Sequence, residues 1–137
     1  MPDSARFVVF MVAAFLLFLG VVLWIVRRRS TKPSWGAVIA LATVVVPMGM
    51  LFARYSHIVF RDLPWEVYYG VPALVTFLLP PTWLRMSRLE TAQYIPLAIL
   101  MAPVIHIVFS LFVGWHDYMP FPVYIPSLAE MLRNAAR

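Results

Sequence analysis

Four stretches without a formal charge, residues 7–26, 36–53, 67–84 and 94–115, dominate the chain. A helix needs about 20 mainly apolar residues to cross a hydrocarbon core roughly 30 Å thick, and each stretch is at or near that length. The runs are continuous, as in the FLLFL of residues 15–19, and lack the alternation of a barrel strand. Helices are then the form that satisfies a lipid-exposed backbone. Composition agrees: 63% of the 137 residues are hydrophobic and 12% are charged, too apolar a balance for a water-soluble fold of this size to hide. The expectation is an all-α integral membrane protein, a bundle of four kinked transmembrane helices over residues 7–26, 36–54, 64–84 and 94–115. A tail over residues 116–137 ends in a short interfacial helix.

Arg27, Arg28 and Arg29 follow the first run where a signal peptide would need small residues, so that run is read as a retained span. Arg27, Arg28, Arg29, Lys32, Arg85 and Arg88 flank the first and third connections, against Arg6, Arg54, Arg61, Arg133 and Arg137 on the other side. The positive-inside tendency then places both termini and the middle loop outside, in what is read as a bacterial inner membrane. These basic residues sit beside apolar ends rather than in a soluble patch, so the net charge of +5 points to the bilayer and not to nucleic acid. Cysteine is absent, which excludes disulfides, thiolate catalysis and cysteine-bound metal centres.

Proline interrupts every run but the first. Pro47, Pro72 and Pro103 each remove one helical hydrogen bond and favour a kink, and the Pro80-Pro81 pair predicts that regular helix ends near Leu79. Counted from Pro64, that third helix would reach only about 24 Å. The second run carries Gly36 with Ala40 and Gly49 with Ala53, spacings that let another helix approach closely. Ser87 with Glu90 and Ser127 with Glu130 have the spacing of capping boxes, which start the fourth helix and a tail helix at Leu128. Residues 119–126 include three prolines and are expected to be extended.

His106 is the one ionisable side chain deep inside a run, and a histidine in hydrocarbon is a functional candidate by default. Thr43, Thr76 and Ser110 lie at similar depth and could hydrogen-bond it in a purely structural role. A second polar group gathers at the outer boundary: Arg54, His57, Arg61, Asp62, Trp65, Glu66 and Tyr69 from the middle loop, with His116 and Asp117 after the last run. The simplest account is an aromatic belt with interfacial ion pairs. A second makes these residues a surface for a lipid head group or a protein partner. A third, a metal held by His57, His116 and a carboxylate, matches no short ligand motif, so neither metal nor cofactor is expected.

The function expected from these residues is that of a non-enzymatic subunit, assembly factor or protective partner in a membrane complex, working with lipid and with a protein partner or further copies of itself. The alternatives are an oligomeric small transporter or channel, weakened by the lack of a membrane-depth carboxylate or repeat, and an enzyme acting on a lipid-linked substrate at the outer interface.

Overall fold

The computed structural model describes residues 3–61, 63–116 and 123–136, with the side chains of all of these except Asp3 and His57. The described residues form helices and connections without a strand. Helix α1 spans Asp3–Val26, α2 Trp35–Thr43, α3 Gly49–Val59, α4 Trp65–Trp83, α5 Arg88–Val113 and α6 Leu128–Ala135. A π-helical turn, Val44–Met48, joins α2 to α3, so the second run is one rod with a single wide turn. Three helical stretches, Ser4–Val26, Trp35–Ser56 and Arg88–Val113, are long and apolar enough to cross a membrane.

The π turn contains the residue that demands it. Pro47 has no N–H to give the carbonyl four residues earlier, and a π turn moves the donor one residue on. The kink expected at Pro47 takes this form. At Pro80-Pro81 the expectation of a helix end near Leu79 is corrected, because α4 continues to Trp83. Proline at position 80 deprives the Thr76 carbonyl of its helical donor, and the Tyr94 hydroxyl of α5 donates to that same oxygen at 2.6 Å. The Thr82 hydroxyl reaches back to the Leu78 and Leu79 carbonyls at 2.8 and 2.9 Å. With the Thr76 carbonyl served by Tyr94, the helix runs nineteen residues, about 28 Å rather than 24 Å.

Packing sorts faces that hydropathy cannot. Along α1, Phe10, Ala14, Phe18, Val22 and Ile25 are buried, while Val8, Val12 and Leu16 on the opposite side are exposed. That pattern has the three- and four-residue spacing of a helix face. The buried stripe meets α5, α2 and the π turn; α3 and the π turn meet α4, and α4 meets α5, so the long helices close a ring. Gly49 stands at the α3–α4 contact, where an added Cβ would lie 3.5 Å from the Pro72 Cβ. Gly36 has open space around it and contributes no such contact.

Both capping boxes form, at Ser87 with Glu90 and at Ser127 with Glu130. Helix α5 ends at Gly114, whose left-handed φ of 73° allows its N–H to cap the Ser110 carbonyl at 3.2 Å. Beyond it the Trp115 ring stacks on Phe109 at 5.8 Å and meets Phe10 of α1 edge-on at 5.7 Å. The start of α1 and the end of α5 are thereby tied together.

Candidate functional site

Small side chains on facing helices leave space where the helices would otherwise interlock. Ala14, Gly49, Ala53, Ala73, Ala98 and Ala102 all face a cavity of about 580 Å³. Its walls also include Phe7 and Phe10 of α1, Val45 of the π turn, Met50 of α3, Phe77 of α4 and Ile105 of α5. Every long helix contributes, and the proline-driven π turn forms part of the wall. Thr76 also lines the space, but its hydroxyl is spent on the Pro72 carbonyl at 2.8 Å. The interior is apolar.

The cavity is polar at one end. Arg54 lines it there, its guanidinium carbon 4.4 Å from the centre of the Phe7 ring and 6.0 Å from that of Tyr55. Stacking over a ring engages the flat face of a guanidinium and leaves its in-plane N–H donors available. Tyr69, half-buried on α4, lines the same end. Helical rise from Val45 to Arg54 makes the space roughly 13 Å deep.

The outer polar residues do not form one cluster among the described residues. Arg54 and Tyr69 belong to the cavity. Arg61 is exposed in the turn after α3, and Glu66 is exposed in the first turn of α4. Trp65 is exposed, its ring 6.5 Å from that of Tyr69. Asp62 and Asp117 lie outside the described residues, as does the side chain of His57. Among the described residues no group of His, Asp and Glu is arranged to hold a metal ion.

His116 instead joins the tail. Its ring lies 4.6 Å from that of Tyr124, and the Tyr124 hydroxyl donates to Glu130 at 2.9 Å. The Ser127 N–H beside Glu130, the Tyr124 hydroxyl and the positive potential of His116 hold the Glu130 carboxyl below the usual carboxylate range. A carboxyl whose pKa is lowered by folding stabilises the fold above the ordinary value near 4.3 and loses that contribution as pH falls through the lowered one. Helix α6 is therefore expected to loosen below about pH 4. Glu130→Gln should reproduce this at neutral pH as faster amide exchange over residues 128–135, whereas unchanged exchange would remove Glu130 from the docking of the tail.

The deep polar residues are largely self-sufficient. His106 is buried, with Nε2 2.7 Å from the Val123 carbonyl, a contact that ties α5 to the tail. The Thr43 hydroxyl donates to Ile39 at 2.9 Å and the Ser110 hydroxyl to the Trp115 carbonyl at 3.3 Å. The bond from His106 runs to a segment that the reading of span depths had no means to bring there.

At the opposite end of the ring lies a pair that sequence reasoning missed. Arg29 grips Glu90 with two bonds of 2.7 Å, from Nε to Oε1 and from Nη2 to Oε2. Its Nη1 donates to the Leu84 carbonyl at 2.9 Å, and this fixes the turn between α4 and α5 where Arg85 has a φ of 46°. The hydrogen bond to Glu90 raises the Arg29 pKa further. Glu90 also accepts the Ser87 N–H of its capping box at 2.8 Å, so one carboxylate caps a helix and binds the first connection. Comparison with protein-family models, curated proteins and solved structures yields no match to this chain.

Proposed function

We propose that the chain is a four-span membrane protein that holds a hydrophobic ligand between its helices, and that it serves without catalysis as a small subunit or protective partner in a membrane complex. The observation that carries this reading is the cavity of about 580 Å³, whose walls come from all the long helices and are apolar except at the Arg54 end. That volume is in the range of about 300 to 1,000 Å³ usual for ligand pockets.

A fourth crossing by α4 is part of the proposal. Side-chain rescue of Pro80 gives that helix nineteen residues, about 28 Å against a hydrocarbon core of roughly 30 Å. With four crossings, Arg27, Arg28, Lys32, Arg85 and Arg88 share one side, which by the positive-inside tendency is the cytoplasmic side of a bacterial inner membrane. Both termini and the Arg54 end of the cavity then face outward.

Native mass spectrometry of protein released from a mild detergent tests the ligand-holding role. The chain is expected to retain a lipid-sized or partner-sized mass, and Ala102→Phe, which places a ring in the cavity, is expected to release a lipid-sized one. A wild-type chain that emerges bare would contradict the proposal.

A further inference from the structure

Arg54 is a cation at the mouth of an apolar cavity, and among the described residues no carboxylate meets it. It borders the cavity two residues before the end of a helical stretch apolar enough to cross a membrane. A cation at such a place is costly unless an anion or water reaches it. Among the described residues Arg54 makes ring contacts with Phe7 and Tyr55 and meets no carboxylate. The mouth of the cavity therefore presents N–H donors and a positive charge that no carboxylate among the described residues neutralises, above an apolar interior.

We infer that the cavity takes one acyl chain of an anionic phospholipid, with the head-group phosphate held against Arg54. The inference rests on the ligand-holding reading above and specifies its ligand. Depth agrees with it, because roughly 13 Å from Val45 to Arg54 is close to half of a hydrocarbon core of about 30 Å, the reach of an acyl chain from one leaflet. Guanidinium chemistry agrees as well, since its planar fork of donors matches two phosphate oxygens. The Tyr69 phenol at the same end is a further donor for a head group. A neutral sterol or hydrocarbon would fill the interior and leave Arg54 without its anion.

The test titrates the detergent-purified full chain with phosphatidylglycerol or with phosphatidylcholine of identical acyl chains and counts bound lipid by native mass spectrometry. One phosphatidylglycerol per chain is expected, bound at least about tenfold more tightly than phosphatidylcholine, whose choline ammonium cancels the net charge and competes with Arg54 for the phosphate. Arg54→Gln should reduce phosphatidylglycerol to the phosphatidylcholine level, and Arg54→Lys should keep part of the preference. Equal binding of the two lipids by the wild-type chain would overturn the anionic assignment and leave a ligand-holding cavity standing. Binding of neither lipid, or undiminished phosphatidylglycerol binding by Ala102→Phe, would overturn the cavity reading itself. The wild-type comparison needs no variant to fold. A protein segment that copurifies and displaces both lipids would also overturn the assignment.

Discussion

Replacing Arg29 by glutamine is expected to destabilise the folded protein by about 2 kcal/mol, measured as a lower midpoint of thermal or detergent unfolding. The side chains of Arg29 and Glu90 are 21% and 17% exposed, so water screens the pair weakly but not negligibly. The figure is accordingly set below the 3–5 kcal/mol typical of breaking a fully buried pair. Glutamine loses the bidentate grip on Glu90 and the bond to the Leu84 carbonyl together, and so releases the first connection, the end of α4 and the start of α5. Arg29→Lys should recover only part of the loss, because an ammonium cannot form the planar two-bond pairing. If Arg29→Gln and Glu90→Gln each cost about 2 kcal/mol and the double variant costs little more than either, the pair acts as a unit. Strictly additive losses would show that the two side chains act separately.

Tyr94→Phe should cost about 1–2 kcal/mol, most of it from the Thr76 carbonyl left without a donor. Tyr94 is fully buried, and the substitution removes a single oxygen, so packing changes little. The loss should show a distinctive dependence on position 80. With Pro80→Ala in the background, a helical N–H again serves the Thr76 carbonyl, and Tyr94→Phe should then cost much less. An equal cost in both backgrounds, measured by the same unfolding midpoints, would mean that the phenol stabilises the fold for another reason.

These two contacts also mark where sequence reading stops. Helix boundaries were legible where local chemistry decides them: the serine–glutamate caps at Ser87 and Ser127, the disturbance at Pro47, and the continuous apolar runs of the three helices able to cross a membrane. Pro80-Pro81 misled because the local rule is sound, yet the compensating hydroxyl comes from Tyr94, eighteen residues away on another helix. Arg29 misled differently. A basic residue after a span has a sufficient topogenic explanation, and a glutamate three residues after a serine has a sufficient capping one; only the fold brings them together across 61 positions. The cavity left a fainter trace. Gly49 and Ala53 have the spacing of a helix-packing motif, but nothing in the chain marks Ala14, Ala73, Ala98 and Ala102 until the helices bring them around one space. Of the outer residues, Arg54 and Tyr69 reach the cavity, and the two are joined there by packing rather than by any spacing in the chain.

The central claim, a four-span bundle with its cavity mouth outward, meets its most direct test in single-cysteine labelling, which the absence of native cysteine makes clean. Ser4→Cys, Arg61→Cys and Asn134→Cys in sphaeroplasts should react with a membrane-impermeant maleimide, whereas Ser30→Cys and Arg88→Cys should react only after lysis. Reaction of Ser4→Cys and Asn134→Cys from opposite sides would leave α4 outside the membrane and contradict the account.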